Sequence, residues 1–245
     1  MHVQWDEATC GQVVYLFNET QNNFAGRPEE FVAAVSRPDK ADKSRLTIAS
    51  IDIGGGTTDL VITDYSLDDG KGDNVYIKPE QCFRDGFKIA GDDILLDVIR
   101  LFVLPAVNDA LLKAGVEKPE PLLSKLIGSE PLTVQEAVLR QQLTLQVFSP
   151  IGLCLLKAYE TYDPLEPSSL VSATFGELLG NEQPTADVLD YFSAAVRRQL
   201  GNGAGGFDLL QIPLNVSLRR IHEAFIGDRM NIGKSIQALC EIVYS

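Results

Sequence analysis

Ile48-Ala-Ser-Ile-Asp-Ile-Gly-Gly-Gly-Thr-Thr-Asp-Leu-Val-Ile-Thr-Asp-Tyr65 is the stretch whose reading decides the fold. An apolar run leads into Asp52, then Gly54, Gly55 and Gly56, then Thr57, Thr58 and Asp59, and a second alternating run follows. This order predicts two antiparallel strands, over 46–53 and 58–65, joined by a turn that accepts phosphate. Glycine lets backbone amides approach a polyphosphate without Cβ interference and supplies positive φ where a turn demands it. A threonine hydroxyl beside such a loop can hold a phosphate oxygen or a water. A strand-end aspartate can reach Mg²⁺ through waters, because magnesium keeps much of its hydration shell. The competing reading is a plain tight hairpin turn between β-branched residues; the flanking aspartates and the threonine pair favour phosphate.

Working outward, Asp6-Glu7-Ala8-Thr9 opens an amphipathic helix carrying Val13, Val14, Leu16 and Phe17, with its acids at the positive helix end. Residues 21–45 are polar, with Gly26, Pro28 and Pro38, and read as a surface excursion with a short helix near 29–35. After the second strand, a turn at 68–72 and a third strand over 74–83 complete an antiparallel meander, which parallel nucleotide-binding folds lack at their phosphate loop. The period then becomes helical through Ile94, Leu95, Val98, Leu101 and Phe102, broken at Pro105. Residues 133–162 and 187–200 read as helices, 201–206 as a glycine connector, and 207–213 as a short strand. Asn215 or Ser217 caps one further helix and Asn231 another. The division that follows is a sheet subdomain, 1–104 with 207–245, and a mainly helical insertion, 105–206.

The chain has 245 residues, 45% of them hydrophobic, and a net charge of −13, which argues against nucleic-acid binding and against an anionic membrane. Any bound nucleotide needs Mg²⁺ and local N–H dipoles against this field. Cys10, Cys82, Cys154 and Cys240 are far apart without a Cys-x-x-Cys pair and read as buried free thiols rather than a zinc site. No signal peptide or membrane-spanning apolar run is evident, so the expected compartment is the cytoplasm.

The segment from Asp52 to Asp59 resembles the second phosphate motif of the actin, heat-shock-chaperone and sugar-kinase ATPase superfamily. Three weaker likenesses follow in the same order. Asp6-Glu-Ala-Thr9 is similar to the chaperones' Asn-Glu-Pro-Thr element. Lys88-Ile-Ala-Gly-Asp-Asp-Ile94 is similar to their Gly-Gly-Glu-Asp-Phe element, with Ala90 replacing the first glycine. Asn215–Phe225 resembles the helical pair preceding the adenosine loop. Residues 105–207 are unmatched. The whole chain, particularly residues 4–10 and 238–243, looks similar to the SrfB-type virulence factors of bacteria.

The superfamily resemblance implies an α/β (α+β) lobe of ribonuclease H-like, actin type: a β-meander with a glycine-rich phosphate turn, packed by helices, plus a helical insertion. It implies the second lobe only, without the first-lobe phosphate hairpin and ending before the adenosine loop, so the fragment alone binds nucleotide weakly or not at all. The implied cofactors are ATP or ADP with Mg²⁺. Asp52 would orient metal-bound or attacking water. Gly54, Gly55, Gly56 and Thr57 would cradle phosphates through their amides, and Thr57 would also orient water. Thr58 sits beside them, with its side chain expected to turn into the sheet. Asp59 would touch the metal shell through water or merely brace the turn. Glu7 is either a carboxylate near the metal or a helix-start acid, and Gly91 either approaches a phosphate at a helix N-terminus or is a turn glycine. The Asp92-Asp93 pair reads as a helix cap and His222 as structural. Arg197, Arg198, Arg219 and Arg220 belong on solvated helix faces, with contact to adenine or phosphate as the alternative. Trp5, Tyr15 and Phe17 read as core or interface residues. Expected partners are nucleotide, the first lobe of the same protein, and a protein partner or further copies of the chain. The resemblance is compatible with an ATPase lobe, an inactive scaffold or nucleotide sensor on the same fold, and a sugar or small-acid kinase.

Overall fold

The computed structural model describes residues 7–36, 44–69, 75–128, 130–166, 168–200 and 207–227. Trp5, the 70–72 turn, the 201–206 connector, the helix expected from Asn231 and Cys240 lie outside them. The chain divides into two compact units between Asp92 and Asp93.

The first unit contains helices α1 (Glu7–Asn18) and α2 (Pro28–Val35) and strands β1 (Arg45–Ile53), β2 (Thr58–Asp69) and β3 (Val75–Phe87). The strands form an antiparallel meander in the order β1-β2-β3. The β1–β2 register pairs Leu46 with Tyr65, Ser50 with Val61 and Asp52 with Asp59. In β3 the register shifts opposite Ile62/Thr63, so that Phe83 pairs with Ile62 and Gln81 with Thr63, and Cys82 is the extra residue. β3 carries Pro79 and has no further strand beside it among the described residues, as an edge position allows.

Successive strand residues face opposite sides. Leu46, Ile48, Ser50 and Asp52 therefore share one face of β1, and all four are half-buried while their neighbours are exposed. On that face Leu46, Ile48, Leu67 and Ile77 pack against a buried cluster of Leu16, Phe31, Val32 and Tyr65. Residues 21–45 are thus not merely a surface excursion. Pro28 starts α2 where its missing N–H costs nothing, Glu29 and Glu30 complement the helix dipole, and Phe31 is fully buried.

α1 forms where its apolar pattern suggests, but it buries a different face. Val14 and Phe17 are 59% and 62% exposed, whereas Ala8, Gln12, Leu16 and Thr20, four residues apart, are buried. Gln12 explains the inversion. Its amide nitrogen donates to the Ser50 hydroxyl at 2.9 Å, the Val61 carbonyl at 3.2 Å and the Ile48 carbonyl at 3.3 Å. The Tyr65 hydroxyl donates to its amide oxygen at 2.8 Å. Burial pushes that hydroxyl above its usual pKa range, with a hydrogen bond from Thr63 opposing the shift, so it stays a donor.

The second unit holds α3 (Gly91–Val98, from Asp93 onward), α4 (Leu104–Lys113), α5 (Pro119–Ile127), α6 (Val134–Leu143), α7 (Ser149–Tyr159), β4 (Leu170–Thr174), α8 (Phe175–Leu179), α9 (Ala186–Leu200), β5 (Pro213–Ser217) and α10 (Leu218–Ile226). π-helical turns join α3 to α4 and α6 to α7. β4 pairs with β5, and β5 and α10 belong to this unit, not to the first. The strand expected over 207–213 starts only at Pro213, because Asp208 accepts from the Leu210 amide at 2.9 Å and caps a short 3₁₀ turn first. Thr133 and Thr174 each form a capping box, with Glu136 and Glu177 respectively. His222 meets the Tyr159 hydroxyl through Nδ1 at 2.9 Å and lies beside Tyr162, in a structural aromatic setting.

Candidate functional site

Residues 54–57 form the turn between β1 and β2, and all four are exposed. The Gly54 amide donates to the Thr57 carbonyl at 2.9 Å and closes the turn. The Gly54 and Gly55 carbonyls accept from the amides of Gly91 at 3.0 Å and Asp92 at 2.8 Å. The first amides of a helix lack partners within it, and here the turn carbonyls satisfy two of them at the start of α3. The amides of Gly55, Gly56 and Thr57 meet no acceptor among the described residues.

The glycines are not there for positive φ. Among the described residues positive φ at glycine occurs at Gly26, Gly115 and Gly180, not in this turn. At Gly54 and Gly91 close approach is the reason instead: a Cβ on Gly54 would lie 3.3 Å from the Thr57 carbonyl, and one on Gly91 would lie 3.2 Å from the Gly54 carbonyl. A Cβ on Gly56 would meet nothing.

Asp52 and Asp59 are direct cross-strand partners and both are half-buried. Like charges so placed are mutually destabilising. Gly86, the β3 partner of Asp59, leaves room for this carboxylate, since a Cβ there would lie 3.0 Å from Asp59 Oδ1. Asp92 is the third carboxylate of the neighbourhood, 3.6 Å from where a Gly55 side chain would begin. Thr58 is buried, and its hydroxyl donates to the Ile89 carbonyl at 2.7 Å, away from the turn. Glu7 is exposed at the start of α1, next to Ala8, whose carbonyl is 3.5 Å from the Ser50 hydroxyl on the Asp52 side of β1. Gly91 has its amide committed to the turn rather than open to solvent.

The structure thus brings together Asp52, residues 54–57, Asp59, Gly91 and Asp92. Sequence reasoning missed Gln12, which fixes α1 on the sheet, and the proximity of Asp92 to Gly55. It also passed over Gly86, although a glycine inside a strand pattern signals a close approach. No group of three or more His, Cys, Asp or Glu side chains converges as a metal cage among the described residues. Cys10 and Cys82 are exposed and Cys154 half-buried, so these three thiols are free but not buried as expected. Arg219 pairs with Glu223 at 2.9 Å, and Arg220 lies 5.9 Å over the Phe102 ring.

Fold and site together define a mixed α/β protein whose antiparallel meander presents an exposed triglycine turn flanked by paired carboxylates. Over residues 1–245 the chain matches the family model described as Virulence factor SrfB, and it belongs to that family. No curated protein and no solved structure matches it. No helix among the described residues is long and apolar enough to cross a membrane.

Proposed function

We propose that the chain is the second lobe of an actin/chaperone-like ATPase, with a sheet unit of ribonuclease H-like, actin type, and that the 54–57 turn holds the phosphates of Mg-ATP or Mg-ADP. One observation carries the reading: an exposed turn with three uncommitted amides lies beside two half-buried carboxylates in direct register. Such a pair gains from a divalent cation between its charges, and the turn amides gain from an anion. A hydrated magnesium phosphate supplies both at once, and it does not need an all-protein cage.

On this reading Gly55, Gly56 and Thr57 donate amides to phosphate oxygens, and Gly54 closes the turn. Asp52 and Asp59 accept hydrogen bonds from the waters of Mg²⁺. Asp52 and the Thr57 hydroxyl are the groups available to orient an attacking water, and Glu7 is the further carboxylate at the start of α1. Thr58 and Gly91 serve by bracing the turn. The metal contributes charge neutralisation, which with positioning makes up most of phosphoryl-transfer catalysis. A first lobe completes the clamp, and the cytoplasm is the compartment that supplies Mg-ATP.

Asp92 favours a second reading. A carboxylate beside Gly55 repels a bare phosphate, which suits a scaffold or nucleotide sensor that keeps the fold without turnover. Calorimetric titration of the full-length protein tests the proposal. ATP is expected to bind with Mg²⁺ present, and Asp52→Asn is expected to weaken that binding about tenfold, the worth of one charge-assisted contact. Binding indifferent to Mg²⁺ or to Asp52 would refute it. A turnover assay on the same sample then separates ATPase from scaffold.

A further inference from the structure

The helical unit contains a cavity of about 230 Å³ between α5, α6 and α9. Leu126, Leu139, Ala194 and Ala195 give it apolar walls. Tyr191, Ala194, Ala195 and Arg198 follow one another at the spacing of a single helix face, so the small side chains of the two alanines leave room between the two longer residues. The Tyr191 hydroxyl is buried and has no hydrogen-bond partner among the described residues. A buried, unpartnered polar group calls for an explanation.

The charges around it narrow that explanation. Lys125 lies 3.6 Å from Glu136. Glu136 is further occupied by the amide and hydroxyl of Thr133, as the cap of α6. Arg198 has no ion-pair partner among the described residues. Burial pushes the Tyr191 hydroxyl above its usual pKa range, Glu136 adds to the shift, and Arg140 and Arg198 oppose it, so the hydroxyl senses charges in and beside the cavity. Among the lining residues two cations, Lys125 and Arg198, stand against one engaged carboxylate, Glu136, which suits a single negative charge. A phosphate dianion would exceed what Arg198 can offset in a chain of net charge −13. The volume lies below the range of pockets for drug-sized ligands, which start near ~300 Å³.

We propose that this cavity binds a small monocarboxylate with an apolar body, whose carboxylate accepts from the Tyr191 hydroxyl and the Arg198 guanidinium while the body lies against Leu126, Leu139 and the alanines. The site is independent of the phosphate turn.

NMR titration of the whole chain with benzoate, benzamide and phenyl phosphate tests it. Benzoate is expected to shift resonances of α5, α6 and α9, with benzamide and phenyl phosphate each about tenfold weaker. Tyr191→Phe is expected to weaken benzoate about tenfold and to raise the melting temperature of the unliganded protein, because the variant buries no unpartnered hydroxyl. Arg198→Gln is expected to weaken benzoate similarly at unchanged melting temperature. Three results would overturn the proposal: no benzoate-dependent shift in these helices, phenyl phosphate binding as tightly as benzoate, or a lower melting temperature for unliganded Tyr191→Phe, which would mean that the hydroxyl already has a partner.

Discussion

One face of the meander has two ends, and they are built on opposite plans. At the end near Leu46 and Tyr65, α1 and α2 close the sheet with Phe31, Val32 and Leu16, and every polar atom of Gln12 is engaged. At the other end the same strands carry Asp52 and Asp59 in register and finish in four exposed residues. The helical cover reaches Ser50 through Ala8. The difference separates what folds the unit from what it presents: stability is concentrated at the closed end, and uncompensated polarity is left at the open end.

The largest expected effect breaks the closed end. Phe31→Ala removes a fully buried ring and should cost about 3–5 kcal/mol in chemical unfolding monitored on the sheet. A loss below about 1 kcal/mol would mean that α2 is not part of the core. Gln12→Leu comes next. It removes the acceptor of the Tyr65 hydroxyl and should cost about 2 kcal/mol. Combining it with Tyr65→Phe in a double-mutant cycle should recover about 1 kcal/mol of coupling, and strict additivity would argue against a shared network.

At the open end the sign reverses. Asp52→Asn removes a like-charge opposition and should stabilise the metal-free protein by a few tenths to about 1 kcal/mol. Destabilisation on denaturant titration would show that Asp52 braces the turn instead. The smallest effect is a control in the second unit. Hydrogen bonds from the side chain and amide of Thr133 hold Glu136 below the usual carboxylate range, and the amide and side chain of Thr174 do the same for Glu177. The contribution of each cap is present above the ordinary carboxylate pKa and is lost as pH falls through the depressed folded value. Replacing both with Gln should flatten the acid limb of a melting-temperature-versus-pH curve, and an unchanged limb would contradict it.

The meander was legible because alternation, a glycine turn and a second alternating run leave few other arrangements. α1 was legible as a helix but not in orientation. Val13, Val14 and Phe17 resemble a buried stripe, yet the sheet offers carbonyls of Ile48 and Val61 that only a polar residue such as Gln12 can use. Pattern reading sees hydrophobicity along one element, not an acceptor waiting on another. β4 was hidden for a related reason: five residues, Leu170–Thr174, become a strand only against β5, more than thirty residues downstream in the chain. At the turn, the grouping of Asp52, Gly54, Gly55, Gly56, Thr57 and Asp59 follows directly from the hairpin. The reason for Gly91 does not, because it depends on α3 docking its first amides onto the Gly54 and Gly55 carbonyls.

Amide hydrogen exchange at residues 54–57 of the full-length protein, measured with ATP alone, Mg²⁺ alone and both together, tests the central claim most directly. Gly55, Gly56 and Thr57 are expected to exchange markedly more slowly only when both are present, and this protection should vanish in Asp52→Asn. Unchanged exchange at these three amides in saturating Mg-ATP would contradict the claim that the open end receives a metal-bound phosphate.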